Sequence, residues 1–186
     1  MTKVYFFEIP NNFDKSITPS TMGKQIVNTV AKLDLNIDNS QIIIDRTETG
    51  KPFLKDFSNF NFNISHCKNA VAVAFSDYPV GIDIEKINEC KHKVAKRYFS
   101  TAENEYINQS ADINCAFYEI WTKKEAYLKC KGTGIGASFS KLCVFDNEIK
   151  NHLHTLSQND YIISICCNDI NNLEFNILNN DFFDNM

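Results

Sequence analysis

Glycine and proline are scarce in this sequence, 6 and 4 among 186 residues, and there is a single tryptophan. So few chain breakers exclude a collagen-like or low-complexity polypeptide. A content of 44% hydrophobic and 23% charged residues is that of a globular chain rather than a disordered one. No apolar run approaches the ~20 residues that span a bilayer. The opening Met-Thr-Lys-Val-Tyr-Phe-Phe-Glu reaches an acid too early for a secretory signal. A cytoplasmic protein with no membrane partner is expected. The 7 cysteines are odd in number and form no Cys-x-x-Cys pair, only the neighbours Cys166 and Cys167. That argues against a disulfide framework or a zinc ribbon and leaves small buried hydrophobes. Also missing are Gly-x-x-x-x-Gly-Lys-Ser/Thr, Gly-x-Gly-x-x-Gly, Gly-x-Ser-x-Gly and His-Glu-x-x-His, which removes the commonest nucleotide, hydrolase and metalloprotease readings.

Basic residues stop at Lys150, whereas Asp160, Asp169, Glu174, Asp181 and Asp184 follow it. The chain holds 19 basic against 23 acidic side chains, so without those five acids residues 1–150 stand at 19 against 18. A duplex-binding protein needs a strong basic excess, and no nucleic-acid partner is expected. The bases cluster locally, around Lys86 to Arg97 and Lys123 to Lys131, which suits phosphates on a small ligand, an acidic protein partner or solvated helix faces.

At ~150 residues per domain, the length fits one unit or two small fused lobes. Val4 to Ile9 predicts a strand ended by Pro10, and Ser20 or Thr21 through Leu35 an amphipathic helix. Further strands are expected at Gln41 to Ile44, in a hairpin of Phe60–Ile64 with Ala70–Phe75, and at Val80 to Glu85. A helical pattern begins at Lys91. A second helix runs from about Asp112 to Lys131, stopped by Gly132. Leu142 to Phe145, Tyr161 to Cys166 and Leu173 to Leu178 read as later strands, the last two as a second hairpin. The order implies an α+β fold with mostly antiparallel strands.

Three groups of residues invite chemistry. On a strand Val80–Glu85, Ile82 and Ile84 face a core while Asp83 and Glu85 share the opposite wall, about 7 Å apart. Two carboxylates there suit a hard divalent cation such as Mg²⁺, or are ordinary surface acids. In Trp121-Thr122-Lys123-Lys124-Glu125-Ala126-Tyr127-Leu128-Lys129, Glu125 and Lys129 stand four apart on one helical face, which alone is a surface ion pair. Gly50-Lys51-Pro52 and Ser65-His66 place donors beside a turn and a strand end, where they suit an anionic oxygen.

In sequence order, Gly50-Lys51-Pro52, Phe62-Asn63-Ile64-Ser65-His66, Val80 to Lys86, Arg97-Tyr98-Phe99-Ser100 with Glu103, and Trp121 to Lys129 resemble the phosphopantetheinyl transferases of the surfactin-synthetase-activating type. The match runs from about Thr47 to Phe145. The resemblance implies two similar α/β lobes related by a pseudo-twofold, residues 1–79 and 80–186, with coenzyme A and Mg²⁺, or Mn²⁺, in the cleft. It implies transfer of the phosphopantetheine arm to a serine of an apo acyl or peptidyl carrier protein by a monomer, with release of adenosine 3',5'-bisphosphate. Asp83, Glu85 and Glu125 would hold the metal. Lys51, Pro52, Ser65, His66, Asp83, Lys124 and Lys129 would contact coenzyme A. Glu125 or Glu103 would take the serine proton, with Lys129 beside the same oxygens. The local basic stretch Lys91, Lys93, Lys96 and Arg97 is a candidate docking face for an acidic carrier.

The sequence departs from that family before Gly50, where the usual basic helix is not recognisable, and between Ser138 and Tyr161, which is abbreviated. Two other readings are a coenzyme A binding protein of the same fold with weak or lost transfer, and a metal-dependent nuclease. The nuclease predicts a wider basic surface and leaves Gly50-Lys51-Pro52 and Ser65-His66 without a role.

Overall fold

The computed structural model describes residues 1–14, 16–134, 138–169 and 172–184. Strand β1 (Thr2–Glu8) buries Val4, Phe6 and Phe7 and leads to helix α1 (Pro19–Leu35). The helix starts earlier than its apolar pattern predicts. The Thr18 hydroxyl accepts from Thr21 N–H at 3.2 Å, and Pro19, with its fixed φ, suits the first turn. Met22, Ile26, Val27, Val30 and Ala31 form its buried stripe against the hairpin of β4 (Asn61–Cys67) and β5 (Ala70–Ser76). A short ribbon, β2 (Ile44–Arg46) with β3 (Pro52–Leu54), precedes that hairpin. The strand expected from Gln41 begins only at Ile44, because Asn39–Gln41 is a 3-10 turn and the Gln41 side chain caps it, its Oε1 accepting Asp38 N–H at 2.9 Å.

The second half runs through β6 (Gly81–Lys86), α2 (His92–Tyr98), α3 (Thr101–Gln109), α4 (Ile113–Lys131), α5 (Asn147–Lys150), β7 (Leu153–Gln158), β8 (Tyr161–Cys166), β9 (Leu173–Ile177) and α6 (Asp181–Asp184). One sheet has the order β4-β5-β1-β9 and the other β6-β8-β7. Every pairing is antiparallel except β1 with β9. A strand, a helix and a hairpin recur in both halves, each with the last hairpin strand central to the first two. The mixed content is that of the α+β class.

Three expectations fail here. Tyr161 to Leu178 is not a hairpin, because β8 pairs with β7 and β9 joins β1. Leu142 to Phe145 is not a strand; Val144 N–H is taken by the Glu103 carboxylate at 2.9 Å. A boundary at residues 79 and 80 does not describe the tail, since β9 lies in the first sheet and Phe183 packs on Phe7 at 4.6 Å. Nor is the core divided: Val4, Phe6 and Ala72 pack with Ile82, Ile84 and Ile163 in one cluster. The cysteines are free thiols, four of them buried. Among the described residues no helix is long and apolar enough to cross a membrane.

Candidate active site

The two sheets meet where β6 offers backbone N–H groups to side chains of β4. Ile82 N–H donates to Asn63 Oδ1 at 2.9 Å and Ile84 N–H to Ser65 Oγ at 3.3 Å. The alternation of β4 puts Asn63 and Ser65, both buried, on this side and sends His66 to the other, where it is exposed. Ser65 and His66 therefore do not act at one point.

Helix α4 lies directly on β6. A Cβ at Gly81 would stand 2.0 Å from Ala126 O and 2.4 Å from Cys130 N, so only glycine admits this approach. The fit is pinned by a buried hydroxyl chain, with Thr122 Oγ1 2.7 Å from Ser164 Oγ and Thr155 Oγ1 2.9 Å from the same oxygen. Ser164 is the ladder partner of Asp83. The result brings Glu125 and Lys129 over the acidic wall of β6.

There Lys129 Nζ contacts Asp83 Oδ1 at 2.6 Å and Ser65 Oγ at 3.0 Å, while Ser65 Oγ donates to Asp83 Oδ1 at 2.9 Å. Asp83 Oδ2 is buried and has no partner among the described residues. Burial, then the Asp83 charge, pushes the Glu125 carboxyl up to about 7; Lys129 opposes this. The same two causes raise Glu85, against Lys91, Lys129 and the Trp121 indole. Three carboxylates thus share the charge of Lys129, which is in direct contact with Asp83. Among the described residues no three His, Cys, Asp or Glu side chains converge into a ready-made metal cage. The charge imbalance and the orphaned Asp83 oxygen nevertheless fit a hard divalent cation, which supplies what one lysine does not.

Beside this cluster lies a cavity of about 400 Å³, lined among others by Lys51, Pro52, Asn63, Leu128 and Lys129. Lys51 spans the seam, its Nζ donating to Val80 O and Cys130 O, both at 3.1 Å. Burial lowers its pKa. The Gly50 turn, with φ at 86°, and the left-handed Gly132 cap at the end of α4 form the rim. A larger hollow of about 680 Å³ is lined by Lys3, Asp34 and Asp77 and contains none of these residues.

Two expected site residues are elsewhere. Glu103 and Lys124 are completely buried and paired at 2.9 Å. Glu103 also accepts Ser100 N–H at 2.7 Å and Val144 N–H at 2.9 Å, while Lys124 donates to the carbonyls of Phe139, Leu142 and Tyr98. Every polar atom of the pair is used inside the protein. Glu103 cannot reach a substrate proton, nor Lys124 a phosphate; they join α3, α4 and the loop before α5. Conversely, the sequence assigns no individual role to Asn63, Gly81 or the Thr122–Ser164–Thr155 chain. Asn63 sits in a visible alternation of Asn with apolar residues, but nothing local marks it as the partner of a distant strand.

Comparison with known proteins identifies the family. Residues 79–171 match the model of the 4'-phosphopantetheinyl transferase superfamily, and residues 8–77 match that of the 4'-phosphopantetheinyl transferase N-terminal region. The 4'-phosphopantetheinyl transferase gsp of Aneurinibacillus migulanus is 38% identical over 134 residues, covering 69% of this chain and 54% of that protein. The 4'-phosphopantetheinyl transferase Sfp of Bacillus subtilis is 34% identical over 125 residues, with coverage of 66% and 56%. The human L-aminoadipate-semialdehyde dehydrogenase-phosphopantetheinyl transferase is 35% identical over 147 residues, with coverage of 70% and 47%. The chain therefore spans about half the length of these relatives. With family models covering both halves, the chain belongs to the 4'-phosphopantetheinyl transferase superfamily.

Proposed function

We propose that this protein transfers the 4'-phosphopantetheine arm of coenzyme A to a serine hydroxyl of an apo acyl or peptidyl carrier protein, releasing adenosine 3',5'-bisphosphate. The observation that carries this reading is the Lys129–Asp83–Ser65 contact beside the Lys51 cavity, built from the residues that match the family motifs.

In this reading the serine oxygen forms a bond to the phosphorus next to pantetheine while the bond from that phosphorus to the oxygen shared with the nucleotide breaks. Asp83, Glu85 and Glu125 would hold Mg²⁺. When bound, that ion neutralises pyrophosphate charge as the leaving group departs. Lys51 and Lys129 supply the protein's cations at the cavity wall. An anionic ligand favours the charged form of Lys51, against the burial that disfavours it. Lys129 stands where it can turn from Asp83 to a phosphate oxygen. Glu125, which lies over the acidic wall of β6 while Glu103 is buried against Lys124, is the candidate for taking the serine proton. Ser65 holds Asp83 and Lys129 in register, and His66 is left for the exposed part of the donor. The exposed bases of α2, Lys93, Lys96 and Arg97, together with Lys91 at its start, form the face offered to an acidic carrier.

Incubating the protein with coenzyme A, Mg²⁺ and a panel of apo carriers, followed by intact mass, tests the proposal. One phosphopantetheine added to at least one carrier, dependent on Mg²⁺, is expected. Coenzyme A bound with every carrier unmodified sinks the transfer reading and leaves a binding protein of the same fold.

A further inference from the structure

Two buried thiols meet where the end of α4 crosses the start of β6. Gly81 is the ladder partner of Cys166, so the two residues stand side by side, about 4.5–5.5 Å apart, and aim their Cβ positions out of the same face of the sheet. That face is the one α4 covers, since a Cβ on Gly81 would lie 3.0 Å from Cys130 Cα. The side chain that Gly81 lacks therefore leaves nothing between Cys130 on the helix and Cys166 on β8, and the two pack in one small cluster with Ala126. Cys167, the next residue, belongs to the cluster on the other side of the sheet. As a thiol, Cys130 donates to Pro79 O at 3.3 Å, which fixes where its sulfur sits. A hydrogen bond from Cys166, against burial and with help from Lys51 and Lys131, lowers the Cys130 pKa to about 7, while the same contact pushes Cys166 up. One sulfur of the pair is thus the nucleophile and the other its adjacent partner.

We propose that Cys130 and Cys166 are a modification site, a dithiol that a hydroperoxide converts into a disulfide clamping the end of α4 onto β8. The Cys130 thiolate attacks one peroxide oxygen, the O–O bond breaks, and Cys130 becomes a sulfenic acid as the first water leaves. Cys166 sulfur then attacks Cys130 sulfur, the S–O bond breaks, and the departing hydroxide takes the Cys166 proton as the second water. Two thiols lose two electrons and one peroxide gains them. Cys130 is 9% exposed and Cys166 2%, so the oxidant that reaches them is a small one. Cys130 follows Lys129, the contact of Asp83, and its carbonyl accepts from Lys51 at 3.1 Å. Oxidation therefore fastens the helical wall of the Lys51 cavity to the sheet.

The test treats folded wild-type protein with hydrogen peroxide in slight molar excess, alkylates the remaining thiols, and reads intact mass, peptide fragments and thermal melting. The protein should lose two hydrogen atoms and gain no oxygen, with Cys130 bonded to Cys166 and not to Cys167. A disulfide across this stretch of chain raises the melting temperature by about 4–16 °C, and a reductant should reverse the rise. Cys167→Ala should form the same bond. In Cys166→Ala the sulfenic acid has no partner, so Cys130 should take up oxygen instead. Oxygen added to wild-type Cys130 without a cross-link, a bond between any other pair, or thiols all intact after treatment overturns the proposal. A Cys130–Cys166 bond that leaves the melting temperature unchanged or lower overturns the clamp. If Cys166→Ala does not fold, the wild-type fragments and melting decide alone. No readout uses coenzyme A or a carrier, so failure here is distinct from failure of the transfer reading.

Discussion

Replacing Gly81 by alanine tests whether the close seating of α4 on β6 is what assembles the site. The added Cβ would lie 2.0 Å from Ala126 O and 2.4 Å from Cys130 N, where ordinary contact begins at 3.4 Å. Both obstacles are helix backbone, so no rotamer change relieves them, and α4 must retreat by about 1.4 Å. Overpacking of this kind costs about 1–3 kcal/mol. For a chain of this size that lowers the melting temperature by about 2–12 °C. The same retreat carries Glu125 and Lys129 away from Asp83, stretching a 2.6 Å contact toward the limit of an ion pair. A displacement of about 1 Å at reacting groups can lower the rate about 100-fold. The assay is thermal melting alongside the initial rate of carrier modification, with coenzyme A saturating. A Gly81→Ala protein that melts and turns over like wild type would refute the claim that helix approach sets the site.

Three further predictions concern the charges. Glu103→Ala leaves Lys124 buried without its carboxylate and should cost about 3–5 kcal/mol in urea unfolding, with the affinity of the folded fraction for coenzyme A unchanged; weaker binding at equal stability would return Glu103 to the site. The Glu125 carboxyl is raised from 4.5 to about 7, mainly by burial, so its contribution to stability is full below pH 4.5 and lost as pH rises through about 7. Melting of the ligand-free protein should therefore show a fall across pH 4.5–7 that Glu125→Gln removes, and identical profiles would contradict the assignment. Reversing the charge of Lys93 and Lys96 should raise the Michaelis constant for an acidic carrier at low salt and leave coenzyme A binding alone; an unchanged constant argues against docking on α2.

Where chemistry follows a short period, the sequence was readable. The alternation of Ile82, Asp83, Ile84 and Glu85 sets core side chains against an acidic wall, and the four-residue spacing of Glu125 and Lys129 puts both near that wall. The error over Glu103 had a local remedy. Ser100-Thr101-Ala102-Glu103 has the spacing of a capping box, and the structure shows that box formed, with Glu103 turned into the helix start. Lys124 has beside it Lys123, a half-buried cation paired with Glu119; which of two adjacent lysines points fully inward depends on what α3 and the loop before α5 bring to α4. The return of β9 to β1 and the Asn63–Ile82 contact join residues far apart in the chain. Neither has a periodic signature, and each is decided by which surface the folded core leaves open.

The central claim is a coupled reaction on a carrier serine, and a quantitative balance of both products tests it most directly. With coenzyme A, Mg²⁺ and a responsive apo carrier, adenosine 3',5'-bisphosphate released and phosphopantetheine found on the carrier should rise together in a one-to-one ratio. Chelation of the metal, Lys129→Ala, or removal of the carrier's acceptor serine should abolish both products. Nucleotide released without a gain in carrier mass, or full activity in Lys129→Ala, would contradict the account.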